Sequence, residues 1–192
     1  MKKTFTFLIA ISLSLACSTK TEDTKNEDSH QHEAPAQSST AQSKSPAMQA
    51  MSNIGNVHVH IEYHAPSVRG RQVFGGLVAY DEVWVTGAHS ATSIDFSGDV
   101  KLNGQTVEKG KYALFTIPGE DQWTIIINRN FEQHLADDYD QNLDVVRLNV
   151  AAQKLTEVQE QLKYEVKELS NGKGIITISW ADVSVEFNIE EQ

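Results

Sequence analysis

Histidine is the residue whose spacing in this sequence most directly suggests chemistry. His58 and His60 stand two positions apart in the stretch NVHVHIEYH, and His64 follows four positions later. If the stretch is a β-strand, His58 and His60 share one face with Cα atoms about 6.5–7 Å apart, which suits two ligands of one metal ion. His64 would lie about 20 Å from His58, too far for the same ion. The spacing fits a metal site, or simply the solvent-facing side of a strand.

A metal site here needs a further ligand, and His89 is the best candidate. It lies in a glycine-rich segment, residues 65–90, that follows the histidine-bearing stretch. Zinc or copper is the metal that imidazole ligands would favour. The competing interpretation is a row of exposed imidazoles with pKa values near 6.5 and weak metal affinity. We expect the exposed row and therefore no cofactor, and keep a Zn or Cu site at His58, His60 and His89 as the alternative.

The glycine-rich segment also carries arginines and aromatic residues. Guanidinium groups can clamp a carboxylate or phosphate through two parallel hydrogen bonds. They can also hold a loop still by bonding acidic side chains or backbone carbonyls. We favour this second role and predict that Arg69 and Arg71 are partly buried and hydrogen-bonded. Long ordered loops on a β scaffold are where binding residues tend to lie. The candidates for ligand binding or loop organisation are Arg69, Arg71, Trp84, Thr86 and His89.

The sequence offers few residues in arrangements typical of other catalytic or metal-binding sites. Neither Ser67 nor Ser90 has the strand–turn–helix context of a nucleophile elbow. The carboxylates of Asp137, Asp138 and Asp140 do not follow calcium-loop spacing, and a solvated acidic turn is the simpler interpretation. The formal net charge is −10, which argues against nucleic acid as a partner. Whether the protein is an enzyme stays open, but the sequence favours a non-enzymatic role.

Alternation of apolar and polar residues dominates the chain after Ile54. Such period-two patterns place one face of a strand on a core and the other in water. Asn-Gly pairs at positions 103–104 and 171–172 favour hairpin turns. The pattern predicts an all-β, antiparallel β-sandwich or open barrel-like fold. The predicted strands are 56–64, 91–96, 99–103, 105–109, 111–117, 122–128, 144–151, 158–168, 174–180 and 182–190.

The first residues have the form of a secretory signal. Lys2 and Lys3 precede an apolar run that is too short for a membrane-spanning helix. The run ends in Ser-Leu-Ala-Cys, which resembles a bacterial lipobox, and Cys17 is the only cysteine. In lipoproteins of that class the cysteine is lipidated after cleavage. We predict a lipoprotein signal peptide over 1–16 and a lipid-anchored protein of the bacterial cell envelope. The alternative is an ordinary signal with a cysteine there by chance.

Residues 18–52 contain no Phe, Trp, Tyr, Leu, Ile or Val. Such a composition cannot bury enough apolar surface to offset the entropy of ordering. The sequence therefore predicts a disordered polar linker over 17–52, beginning with the lipidated cysteine. The remaining residues, 53–192, are enough for one β-sandwich domain.

A series of motifs in the glycine-rich segment is similar to a known family. A tyrosine, a Pro-Ser pair, an Arg-Gly-Arg triplet and a Thr-Gly-Ala triplet follow one another in the order found in bacterial proteins of domain of unknown function 2911. The resemblance extends over roughly 54–189 and implies a secreted β domain without indicating a reaction. The sequence departs from the family pattern at Ala79, Val85 and His89. The matching residues are Tyr63, Pro66-Ser67, Arg69-Gly70-Arg71, Phe74-Gly75, Leu77-Val78, Val83-Trp84 and Thr86-Gly87-Ala88.

Taken together, these features predict a tethered binding or interaction module whose partners are a membrane, through the lipid, and a small-molecule or protein ligand. The alternative function is a metal-binding or metal-dependent site at the histidines.

Overall fold

The computed structural model describes residues 44–192. The predicted signal peptide, the lipidation site Cys17 and most of the predicted linker lie outside the described residues. Among the residues described, no helix is long and apolar enough to cross a membrane.

Ten strands and one short 3₁₀ helix make up the regular structure of residues 44–192. The 3₁₀ helix, Gln141–Leu143, precedes the eighth strand. The predicted strands from 56 to 151 agree with the observed ones within one or two residues. In chain order the strands are β1 Ala47–Ile54, β2 Val57–His64, β3 Ser93–Phe96, β4 Val100–Leu102, β5 Gln105–Val107, β6 Gly110–Ile117, β7 Gln122–Asn128, β8 Asp144–Ala151, β9 Gln153–Ser170 and β10 Lys173–Glu191.

The strands form two antiparallel sheets that pack face to face. The larger sheet has the strand order β1-β2-β3-β6-β7-β8, and the smaller has the order β5-β4-β10-β9. The sheets do not close into a barrel, so the β-sandwich prediction is confirmed. The two sheets pack together because each has one apolar face, and packing these faces against each other removes them from water.

Side-chain alternation on β2 decides which residues enter the core. Val57, Val59, Ile61 and Tyr63 are buried, as the period-two pattern predicts, and the intervening residues point outward. The same pattern buries the apolar positions of β10, where Trp180 and Phe187 are among the large fully buried side chains. Because strand residues alternate strictly, burying one parity of β2 commits its histidines to the outer face.

The first strand corrects the predicted linker boundary. β1 begins at Ala47, six positions before the predicted domain start, and pairs with β2 along its whole length from Ala47 opposite His64 to Ile54 opposite Val57. The strand is mostly exposed, so its small and polar residues cost little. Backbone pairing at a sheet edge does not require large apolar side chains. The prediction of linker over 47–52 is therefore wrong.

The last two predicted strands are one strand with a distortion in the middle. β10 runs continuously from Lys173 to Glu191, and Ala181 adopts a left-handed backbone with φ of 53°. The register with β9 shifts on both sides of Ala181. A bulge of this kind bends a strand without ending it.

Candidate functional site

The glycine-rich segment forms a loop that is fastened to both sheets. On one side, Val68 N donates to Glu160 O at 2.8 Å and Leu162 N donates to Pro66 O at 2.9 Å, which ties the loop to β9. On the other side, Trp84 exchanges backbone hydrogen bonds of 2.8 and 2.9 Å with Thr116 of β6. A loop held at both ends can present side chains in fixed positions.

The loop forms most of a cleft of about 460 Å³, which we call the Trp84 cleft. Sites for small organic ligands commonly have volumes of about 300–1,000 Å³ and a mainly apolar lining. Four of the five predicted loop candidates line this cleft, and Thr86, the fifth, is buried. The lining residues are Lys44, Ser45, Pro66, Ser67, Arg69, Arg71, Leu77, Val78, Trp84, Val85, Gly87, Ala88, His89, Leu135 and Trp180.

Several residues at the cleft adopt a backbone conformation that L-amino acids rarely use. The φ angles are 50° at Arg69, 52° at Thr86, 66° at His89 and 51° at Leu135. Left-handed backbone at residues other than glycine is uncommon, and each instance costs of order 1–3 kcal/mol. Such conformations persist where the surrounding structure holds them, and they cluster at ligand-binding sites.

Aromatic stacking joins the cleft to the core. The Trp84 and Trp180 rings stack with centroids 5.6 Å apart at an interplanar angle of 20°. Trp180 is only 2% exposed, whereas Trp84 is half-buried, and its Nε1–H donates to Gly87 O at 3.2 Å. Of the three tryptophans, Trp84 is therefore the one that offers part of its surface to the cleft, while Trp123 and Trp180 belong to the core.

Thr86 holds the loop in place through hydrogen bonds on its buried side. Its hydroxyl lies 3.2 Å from Trp84 O and 3.0 Å from the hydroxyl of Thr116. Its carbonyl accepts hydrogen bonds from the hydroxyls of Tyr164 at 2.8 Å and Thr92 at 3.1 Å. Burial raises the pKa of Tyr164 well above its usual value, because the phenolate would have to lose its hydration. The neutral phenol thus acts as a fixed donor to the loop.

Both predicted arginines are hydrogen-bonded, but the prediction that they are partly buried is wrong. Arg71 donates from Nε to Val68 O at 3.0 Å and from Nη2 to Ser67 O at 2.6 Å. Arg69 donates from Nη2 to Lys44 O at 3.0 Å. Both residues are exposed. Their partners are backbone carbonyls, whose partial charges leave the positive charge of each guanidinium at the surface of the cleft.

The structure does not support the predicted trio of histidine ligands. The rings of His58 and His60 lie 6.2 Å apart, and His58 Nδ1 is 2.9 Å from Asn53 Oδ1. His89 instead meets His64 edge-on, with ring centroids 5.1 Å apart. Within residues 44–192, no group of three His, Cys, Asp or Glu side chains could hold a metal ion. The left-handed turn at His89 directs this residue to the end of β2 rather than to its middle.

The pKa of His64 also departs from the predicted near-normal value. Burial lowers it, and the nearby charge of His89 lowers it further. The contact therefore disfavours a proton on His64.

The acidic turn between β7 and β8 has a structural role. Asp140 caps the 3₁₀ helix, because its Oδ1 accepts from Asn142 N at 2.9 Å. Asp144 accepts from Tyr139 and Arg147, each at 2.7 Å, and the pKa of Tyr139 rises to about 12, mainly because the residue is desolvated. These contacts give the carboxylates partners within the turn.

Four contributors to the cleft were not predicted from the sequence. Lys44 and Ser45 lie inside the predicted linker, and Trp180 lies at a position that the strand pattern assigns to the core. Leu135 lies in the loop between β7 and β8, and its amide donates to His89 O at 2.7 Å. An isolated leucine in a polar loop is the one signal that could have pointed to it.

Comparison with known proteins identifies a family and no further relative. The family described as Protein of unknown function (DUF2911) matches residues 45–189, which confirms the resemblance drawn from the motifs. No curated protein and no solved structure matches the sequence significantly.

Proposed function

The chain belongs to the DUF2911 family, and from that premise we propose that it is a cell-envelope lipoprotein whose β-sandwich binds a small molecule in the Trp84 cleft without catalysing a reaction. The proposal has two parts, the anchor and the binding site, and different residues carry each.

The anchor is proposed from the sequence alone. Cys17 is the sole thiol, follows an apolar run behind two lysines, and has no cysteine in the chain with which to pair. Several acyl chains hold a protein to a bilayer more firmly than one chain does. The polar composition of residues 18–43 would let the domain work at some distance from the membrane.

The convergence of the family's loop motifs on one cleft carries the proposal of binding. The Pro-Ser pair, both arginines, Trp84 and the Gly-Ala pair come from different parts of the segment, yet they line the same cleft. The left-handed conformations at Arg69 and His89 are also consistent with a binding site, because such strain tends to occur where side chains must be held for a ligand.

The chemistry of the lining favours binding over catalysis. His89 is the one imidazole among the described lining residues, and no carboxylate or thiol stands beside it there. General acid–base catalysis usually relies on a base oriented by a second group. The arginines and the indole instead supply hydrogen-bond donors and apolar contact, as a binding site requires.

A ligand screen on matched variants tests the binding proposal. Sugars, amino acids, short peptides, nucleosides and organic acids would be screened by thermal shift on the mature chain, expressed without residues 1–16 so that it carries no lipid. We expect at least one class to raise the melting temperature of the wild-type protein and of Leu169→Ser, an exposed change on β9. The same ligand should have little effect on Trp84→Ala. Equal stabilisation of all three proteins would place binding outside the cleft and refute the proposal.

A further inference from the structure

The charges around the Trp84 cleft differ from those of the rest of the molecule. The chain has a formal net charge of −10, yet the described lining residues include Lys44, Arg69 and Arg71 and no aspartate or glutamate. One carboxylate outside this lining contacts the loop: Glu160 Oε1 accepts from the backbone N–H of Arg69 at 2.9 Å. Within residues 44–192, no carboxylate forms an ion pair with any of the three cations.

Two other clefts of the molecule have a different balance of charged residues. A larger cleft of about 710 Å³ contains Glu120, Asp121 and Asp182; its cations are Arg71, which also lines the Trp84 cleft, and Lys154, which lies 3.8 Å from Asp182. A third cleft, of about 410 Å³, contains Lys111, which forms a 2.7 Å ion pair with Glu62. In both, aspartate or glutamate residues share the lining with the cations. The described lining of the Trp84 cleft contains neither, so an anion would be attracted to it.

The arginines are held in place in a way that leaves donors for a ligand. Arg71 donates from Nε and Nη2 to backbone carbonyls, and Arg69 donates from Nη2 to one. The other guanidinium nitrogens have no hydrogen-bond partner among the described residues. A guanidinium already fixed by the backbone loses little entropy when it binds an anion. Hydrogen bonds from a charged donor to a carboxylate or phosphate are also stronger than those between neutral groups.

The rest of the cleft is apolar and partly open to solvent. Leu77 is 49% exposed and Leu135 is 39% exposed, so both leave apolar surface in contact with water. They belong to separate loops that meet at the cleft, together with Trp84 and Val78. Covering such surface with an apolar group removes it from water, which favours binding.

We propose that the ligand of the Trp84 cleft is an amphipathic organic anion, with a carboxylate or phosphate head bound by Lys44, Arg69 and Arg71 and an apolar chain covering Leu77, Leu135 and Trp84. This inference rests on the proposed binding function and names the class of ligand. Three cations in a described lining without aspartate or glutamate explain the head, and the exposed leucines explain the tail.

Calorimetric titration of the unlipidated mature chain tests the inference. Decanoate and decyl phosphate, both below their micelle-forming concentrations, supply head and tail; butanoate lacks the tail, and decylamine reverses the charge. We expect decanoate, decyl phosphate or both to bind, and butanoate and decylamine to bind at least tenfold more weakly. Lys44→Gln and Arg69→Gln should each weaken binding about tenfold, as expected for the loss of a charged hydrogen bond. Leu77→Ser should weaken binding of the chain-bearing anions and leave butanoate unchanged.

Matched control variants distinguish an effect at the cleft from a general effect of surface charge or surface hydrophobicity. Arg129→Gln removes an exposed arginine that is not part of the cleft lining, and Leu169→Ser removes an aliphatic residue that is 59% exposed. Both should bind like wild type. The Lys44 side chain makes no hydrogen bond with the described residues, so Lys44→Gln should fold normally, which a circular dichroism melt checks.

Two results would overturn the inference. The first is that decylamine binds as well as the two anions, or that Lys44→Gln and Arg69→Gln bind the anions as tightly as wild type does. The second is that neither chain-bearing anion binds while another class from the screen binds in a Trp84-dependent way. In that second case the cleft remains a binding site and only the ligand class is wrong. Failure of the binding proposal itself would show as the absence of any Trp84-dependent ligand.

Discussion

The Tyr164 hydroxyl donates a 2.8 Å hydrogen bond to the carbonyl of Thr86, joining the interior of the smaller sheet to the loop that forms the cleft. Tyr164 is only 3% exposed, and Thr86 is completely buried in a left-handed conformation. The bond therefore fixes a strained turn from within the core. Because the backbone of the turn is fixed, the side chains on it are held in defined positions.

Tyr164→Phe should lower the free energy of unfolding by about 1–2 kcal/mol at pH 7, because a buried hydrogen bond is lost. The Thr86 carbonyl keeps its bond from the Thr92 hydroxyl, so the loss should stay within this range. Urea denaturation measures it. Tyr80→Phe is the matched control, since the Tyr80 hydroxyl has no hydrogen-bond partner among the described residues, and it should change stability by only a few tenths of a kcal/mol.

The same tyrosine predicts a loss of stability in alkali. Its pKa is raised in the folded protein, so the folded state holds the phenolic proton more tightly than the unfolded chain. That contribution is complete below about pH 10, the unfolded value, and is lost as the pH rises above it. Urea midpoints between pH 9 and 11 should fall less steeply in Tyr164→Phe. Equal slopes would mean that Tyr164 does not titrate with unfolding.

His64 predicts the opposite behaviour in acid. Its pKa is lowered by burial and by His89, so the unfolded chain binds the proton more readily than the folded protein. The contribution is present above about pH 6.5 and is lost as the pH falls through the lowered folded value. His64→Gln should make the melting temperature less sensitive to pH between 7 and 5. His89→Gln should give a smaller change in the same direction, and an unchanged profile in both would contradict the assignment.

Trp84→Ala should destabilise the domain by about 1–3 kcal/mol, less than the 3–5 kcal/mol typical of a fully buried tryptophan. The reason is that the ring is only half-buried, although it stacks on Trp180. Trp84→Phe keeps an aromatic ring at that position and should recover most of the loss. Urea denaturation of both variants gives the comparison, and equal destabilisation would show that stacking contributes little.

Deletion of polar sequence before β1 should be tolerated, whereas deletion into β1 should not. Removing residues 20–40 should change the melting temperature by no more than a degree or two, because their composition predicts no packing. Removing residues 20–50 takes away half of β1 and exposes the edge of β2, so a drop of several degrees is expected. Similar melting temperatures for the two deletions would show that β1 adds little to the sheet.

Cys17→Ser should release the protein from the membrane fraction, because serine cannot receive the lipid. Fractionation of the producing cells followed by detergent phase partitioning measures the change. The deletion of residues 20–40, which keeps Cys17, is the matched control and should remain with the membranes. A Cys17→Ser protein that still partitions into detergent would refute the lipoprotein proposal.

The sequence alone was sufficient for the parts of the fold that depend on local alternation. The buried parity of Val57, Val59, Ile61 and Tyr63 follows from the two-residue period of a strand, and so does the outward direction of the histidines. Motif order was sufficient for the family and for the loop that carries the candidate residues.

Tertiary structure decided what those local patterns could not. β1 is a strand because β2 offers it hydrogen bonds, although its own residues have little tendency to be buried. His89 meets His64 rather than His58 or His60, because a left-handed turn sets its direction. Leu135 reaches the cleft from a loop more than 40 positions further along the chain. Such contacts depend on where distant backbone segments come together, and no short stretch of sequence carries that information.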